Sequence, residues 1–153
     1  MSIEERLKAA GITLPAAPAP VANYVPCVEV NGLLFISGQV AAGLDGIIKG
    51  RLGEDMDAEA GAAAARACGL SLLAQAQKAL GSLDRVARVV KLTGFVNSTP
   101  DFTDQPKVVN GASDLMVEVF GEAAGRHTRA AVSAPALPLG TAVEVDAILA
   151  IRD

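Results

Sequence analysis

Aromatic side chains are scarce in this sequence: there is no tryptophan, Tyr24 is the single tyrosine, and phenylalanines number 4. That is too few to build a platform on which nucleobases stack. Basic charge is equally thin. Thirteen Lys and Arg stand against 17 Asp and Glu, for a net charge of −4 and a pI near 5.0. The basic residues are scattered, with no run of three. Proteins that grip a phosphate backbone carry a basic face, so nucleic acid is not an expected partner. Cys27 and Cys68 form no CxxC, and His127 is the only histidine. A zinc site needs about four N or S ligands, or three and a water. No metal is expected, and the two thiols read as small apolar groups. No apolar run reaches the ~18 residues of a membrane helix. Met1–Ala10 carries Glu4, Glu5, Arg6 and Lys8, unlike a secretory signal, so the expectation is a soluble, cytoplasmic protein. GxGxxG, Walker, GxSxG and HExxH patterns are all missing, so neither a nucleotide cofactor nor a covalent nucleophile is specified.

What is present points to a globular core. Apolar residues make up 51% and charged residues 20%, with mean hydropathy +0.38, too apolar for disorder. A chain of 153 residues favours one domain, and a domain of that size buries roughly 68–70% of its unfolded surface. Ser2-Ile3-Glu4-Glu5 has the spacing of a capping box and starts a short helix over residues 3–10, stopped by Gly11. Leu14–Val21 holds three prolines and reads as an extended connector. Val25–Val30 and Leu33–Ser37 flank Asn31-Gly32, the pair best suited to the positive φ angles of a type I′ hairpin turn. Gly38-Gln39-Val40 then enters a Gly-rich loop over 41–53, with a short strand at Ile47-Ile48. Asp57–Leu80 reads as the longest helix, capped by Asp57 and ended by Gly81, with Ala63, Ala67, Leu70, Leu73 and Ala74 as its buried stripe. Gly61 and Gly69 weaken it by about 1 kcal/mol each relative to Ala. Val86–Val96 reads as a strand and Lys107–Phe120 as a second helix opened by Pro106. Thr128–Ala136 and Ala142–Ile151 read as two strands joined by the Leu137-Pro138-Leu139-Gly140 turn. The whole is an α+β domain: a mainly antiparallel sheet with two helices packed on one face.

Chemistry concentrates in the last two strands. Alternation puts Arg129, Ala131 and Ser133 on one face and Ala130 and Val132 on the other. In the last strand Val143, Val145 and Ala147 share a face opposite Glu144 and Asp146. An ordinary surface or interface salt bridge accounts for this pattern. So does an arginine fork for a small carboxylate, because a guanidinium holds a carboxylate bidentately. Arg129 stands beside Glu144 only if the turn centres near Ala136–Leu137, and a small register slip separates them.

The run from Arg129 through Val132, Leu137-Pro138 and Val143-Glu144-Val145-Asp146-Ala147 resembles the C-terminal signature of the RidA/YjgF family, also known as L-PSP endoribonuclease-like or chorismate-mutase-like. Tyr24 followed by Ser37-Gly38-Gln39 resembles that family's first pocket segment. Val86–Val96 resembles its middle strand, and Val109-Asn110, placed ahead of the second helix, resembles its asparagine position. The resemblance covers residues ~20–151, leaving the N-terminal helix and proline connector of residues 1–20 as an extension. It implies a homotrimer with a ligand pocket between each pair of neighbours. In that pocket Arg129 holds a substrate carboxylate and backbone N–H groups near Gly38 and Ala131 fix the ligand. Tyr24 leans in from the adjacent subunit, Asn110 lies close by, and Glu144 positions a water. The activity it implies is hydrolysis of reactive 2-enamine and 2-imine acids, such as 2-aminoacrylate, to 2-keto acids and ammonia, without a cofactor. Two departures stand out: Gly-Arg-His-Thr-Arg replaces the deaminase branch's usual Pro-Ala-Arg, and Ala131 stands where a cysteine is common. These fit a longer YjgF-like branch. A non-catalytic trimer that binds a small carboxylate is the second reading. An endoribonuclease is the third, disfavoured by acidic charge and a lone histidine.

Overall fold

Asn31 and Gly32 adopt φ of 51° and 75°, so the chain reverses where Asn-Gly predicts. The computed structural model describes residues 1–20 and 22–153; the end of the proline connector, Val21, lies outside them. Around the turn, Cys27–Val30 (β1) pairs antiparallel with Leu33–Val40 (β2), Val30 opposite Leu33. β2 runs past the expected end at Ser37 and bulges between Ile36 and Gln39 where it meets the last strand. The glycine-rich loop contains a two-residue hairpin, Ala42–Gly43 (β3) with Gly46–Ile47 (β4), one residue earlier than expected.

Helix caps follow the sequence closely. Ile3–Ala9 (α1) opens with Ser2 Oγ accepting from the Glu5 amide and Glu5 reaching back to the Ser2 amide. Ala58–Leu80 (α2) starts with Asp57 Oδ1 accepting from the Ala60 amide at 2.8 Å, and stops at Gly81, φ 82°. Gln105–Gly125 (α3) begins at Pro106's turn and runs past the expected end at Phe120, with Gly121 breaking the helical path at φ 84°. The stripe expected on α2 holds at Leu73 and Ala74, both buried, and is corrected elsewhere. Ala63 is exposed and Ala67 and Leu70 only half-buried, while Gly61, Ala64, Ala65, Cys68, Leu72 and Ala76 face the core. An alanine-rich helix offers little contrast between faces, so small residues moved the register unseen.

The remaining strands are Val86–Asn97 (β5), Thr128–Ala134 (β6) and Val143–Ile151 (β7). The sheet order is β1-β2-β7-β5-β6. β6 and β7 are therefore not neighbours, although they follow one another in sequence. β5 lies between them, antiparallel to β7 and parallel to β6. The physical reason is α3: a strand–helix–strand crossover lays β6 parallel beside β5, leaving β7 to pair on β5's other edge. The sheet is mixed but mostly antiparallel.

Directly paired residues share a sheet face. Val143, Val145, Ala147 and Leu149 of β7 join Leu34, Ile36, Val89, Leu92 and Val96 in a core under α2 and α3. The two helices touch through glycine. A Cβ on Gly61 would come within 3.0 Å of Val108 and one on Gly69 within 2.8 Å of Leu115, so these positions permit close packing rather than merely weakening α2. The opposite face of the sheet is open, leaving Val28 50%, Val132 45% and Phe35 40% exposed.

Candidate functional site

Arg129 pairs with Leu92 across β5–β6, and Leu92 faces the helices. Arg129 therefore rises toward α3, where three neutral oxygens meet it. Nη1 donates to Asn110 Oδ1 at 2.7 Å and to Ser113 Oγ at 3.1 Å; Nη2 donates to the Pro106 carbonyl at 3.4 Å. Asn110 and Ser113 are one helical turn apart on α3 and so project together. Asn110 is not a helix cap, nor does it stand ahead of the helix; it sits in the second turn. Ser113 in turn lies 2.9 Å from His127 Nε2, and His127 Nδ1 lies 2.7 Å from the Gly125 carbonyl. A carbonyl only accepts, so Nδ1 carries the proton and Nε2 is left to accept from Ser113. Burial lowers the His127 pKa, Arg129's charge lowers it further, and the bond to Gly125 opposes both. These groups line an open cleft of about 720 Å³, ample for a small organic acid. No acid pairs with Arg129 among the described residues, whereas Glu118 pairs with Arg66 and Glu122 with Arg126.

Glu144 is elsewhere. It pairs with Phe95 on β5, on the open sheet face. Its carboxylate packs over Gly38 in the β2 bulge, so closely that a Cβ there would sit 2.9 Å from Glu144 Oε2. Burial, and then Asp146's charge, raise the Glu144 pKa; burial raises that of Asp146 too. Tyr24, Gly38 and Glu144 line a second pocket, walled by Pro18, Gln75 and Leu139. Ser37 Oγ is spent on the Val25 carbonyl, 2.9 Å away, holding the segment that carries Tyr24. Ala131, half-buried on β6, pairs with Gly94 and leaves one side of its strand at the sheet edge.

One chain thus brings Asn110 to Arg129, and Tyr24 and Gly38 to Glu144, but keeps the two groups apart. They lie on opposite sheet faces, two strands distant, which is roughly 10 Å across the sheet alone. The question the sequence left open, whether Arg129 stands beside Glu144, is answered by β5, which lies between their strands and separates them. Ser113 and the role of His127 escaped the sequence reading. Their signals were there: Ser113 follows Asn110 by one turn, and His127 precedes Arg129 by two residues, hence on its face of the strand.

Residues 4–149 match the protein family described as "YjgF/chorismate mutase-like, putative endoribonuclease". Protein TCP17 of Trypanosoma cruzi is 51% identical over 152 residues, covering 99% of this chain and 95% of that one. The crystal structure of Atu1372 from Agrobacterium tumefaciens, of unknown function, superposes with a TM-score of 0.90 at 46% identity over 98% of this chain and 92% of that one. An endoribonuclease-labelled structure from Shewanella oneidensis gives 0.93 at 37% identity over 99% and 100%. Sequence and fold agree along nearly the whole length: the chain belongs to the YjgF family, known also as RidA or L-PSP.

Proposed function

We propose that the chain works as a homotrimer in which Arg129 of one copy and Glu144, Tyr24 and Gly38 of its neighbour form one pocket that hydrolyses 2-imino and 2-enamino acids to 2-keto acids and ammonia. The observation that carries the reading is the state of Arg129. An arginine offers five N–H donors, and the protein's neutral oxygens occupy three, leaving two and a full positive charge facing the cleft. Such a group suits a carboxylate that binds bidentately. The open sheet face with Phe35, Val28 and Val132 supports assembly, since apolar area of that kind is what a partner subunit covers.

The chemistry then needs little else. The imine carbon is already electrophilic, so fixing the carboxylate and aiming a water lowers the barrier by orientation, which can be worth several kcal/mol. Arg129 serves as the anchor for the carboxylate. Glu144, whose pKa burial raises, is suited to holding a water and taking its proton. RNA cleavage is the weaker reading, because the chain carries a net charge of −4 and its basic residues are scattered, which gives a phosphodiester chain no basic face to bind. The test generates 2-aminoacrylate in situ with a dehydratase and follows keto acid release under semicarbazide competition. Wild type should accelerate release and Arg129→Ala should not. Carboxylate binding without turnover would hand the site to a non-catalytic, ligand-sensing role. Light scattering on the eluted protein decides the trimer, and a monomer would break the shared pocket.

A further inference from the structure

Ser113 and His127 have no part in the roles assigned so far, yet they are joined to Arg129 through a continuous chain of hydrogen bonds. Arg129 Nη1 donates to Ser113 Oγ at 3.1 Å, Ser113 Oγ lies 2.9 Å from His127 Nε2, and His127 Nδ1–H is fixed on the Gly125 carbonyl at 2.7 Å. A hydroxyl has one proton to give. With His127 neutral, Nε2 has only a lone pair, so the Ser113 proton points at the ring and away from the cleft. With His127 protonated, Nε2–H donates to Ser113 Oγ, which already accepts from Arg129. The Ser113 proton must then turn outward, toward whatever Arg129 holds.

We infer that Ser113 and His127 couple proton uptake to anion binding, so that the Arg129 cleft takes a small carboxylate together with one proton and presents that proton to the bound ligand through the Ser113 hydroxyl. The charges around the ring fit this role. α3 contributes Asp114, Glu118 and Glu122, the corner after it Arg126, β6 Arg129 and β5 Arg88. Glu118 and Glu122 are engaged with Arg66 and Arg126, and Arg88 is tied to the Arg126 carbonyl. Arg129 is the cation in direct reach, and a bound carboxylate neutralises it. The same event that fills the cleft therefore removes a barrier to protonating His127.

This deepens the deaminase reading and rests on it in one respect, the use of the proton. As the C–N bond of the carbinolamine breaks, nitrogen takes the Ser113 proton and Ser113 takes the Nε2 proton. The carbinolamine oxygen closes to the carbonyl and returns its proton by the same path, so ammonia and keto acid leave with His127 restored. Glu144 keeps its part in the earlier step, the addition of water.

The lone histidine makes the test clean, because its ring Cε1–H gives a single resonance set. Full-length protein is titrated from pH 5 to 8, with and without saturating pyruvate, and pyruvate affinity is measured by calorimetry across the same range. The expected result is a rise of about one unit in the His127 pKa on saturation, which linkage converts to about tenfold tighter pyruvate binding by the protonated form. Ser113→Ala should remove more than half of that rise, and Ser113→Thr should restore it. His127→Gln, whose amide donates at every pH, should lose the part of the pH dependence that tracks the His127 titration, and Glu144→Gln identifies whatever remains. Pyruvate that binds through Arg129 while the His127 pKa stays put overturns the coupling and leaves the deaminase reading intact. So does a full rise retained in Ser113→Ala. Coupled binding without imine turnover keeps the coupling and sinks the deaminase. No pyruvate binding at any pH removes both.

Discussion

Replacing Gly111 with alanine tests how the site is held. Gly111 lies next to Asn110 on α3, where the helix crosses α2. A Cβ built there collides with the Ala62 carbonyl oxygen, 2.7 Å from the carbonyl carbon and 3.1 Å from Ala62 Cα. Carbon atoms prefer about 3.5–4.0 Å, so α3 must withdraw by about 1 Å, because backbone has no rotamer to turn aside. A gap of that size forfeits a quarter to a half of the dispersion energy of the atoms facing it. Overpacking commonly costs about 1–3 kcal/mol, and a rigid wall belongs at the upper end. Helix propensity returns about 1 kcal/mol, for a net loss of about 2 kcal/mol. With a urea slope of about 2 kcal/mol/M, the unfolding midpoint should fall by about 1 M. The control is Gly69→Ala. Its Cβ meets the end of the buried Leu115 side chain at 2.8 Å rather than backbone, so its loss of stability should be smaller than that of Gly111→Ala. Because Asn110 and Ser113 ride on α3, Gly111→Ala should also weaken pyruvate binding at Arg129. A Gly111→Ala protein as stable as wild type, or one that matches Gly69→Ala, would refute this account of the helix contact.

Two other outcomes follow from the second pocket. Gly38→Ala puts a methyl 2.9 Å from Glu144 Oε2 and displaces the carboxylate by about half an ångström; keto acid release should drop about tenfold while the melting temperature hardly moves, given that 1 Å can cost about a hundredfold. The Glu144 pKa is raised, so the folded chain holds a proton that the unfolded chain has released. Stability therefore rises as pH falls through the window between the raised value and the ordinary 4.5, and levels off below it. Glu144→Gln should be more stable than wild type at pH 8 and lose that advantage near pH 4; a less stable variant at pH 8 in thermal melts would show the sign is wrong.

Local chemistry made much of this fold readable. The Asn31-Gly32 turn, the Ser2 and Asp57 caps and the stop at Gly81 each follow from one residue's backbone preference, and each stands where expected. Strand adjacency was hidden, because alternation tells which face a residue occupies and nothing about which strand lies beside it. So β6 and β7 looked like partners until β5 took the place between them. The site divides along the same line. Arg129 and Asn110 are hydrogen-bonded on the helix side, while Glu144 lies on the other face with Tyr24 and Gly38. Ser113 and His127 went unread because each is ordinary alone and acquires meaning only where α3 and β6 converge.

The position of β6 at the sheet margin bears on how the single chain behaves in solution. Among the described residues, one side of Thr128–Ala134 has no strand beside it, and its sequence is short, small and largely uncharged beyond Arg129. Bare backbone of that kind is a template for stray pairing with other chains. If the chain assembles as proposed, a newly made protomer is stickiest along the strand that carries Arg129, and its solubility then depends on how fast that edge is covered. Dilution, slow folding or a defect at the open sheet face would then register as lost soluble protein well before any loss of activity could be measured.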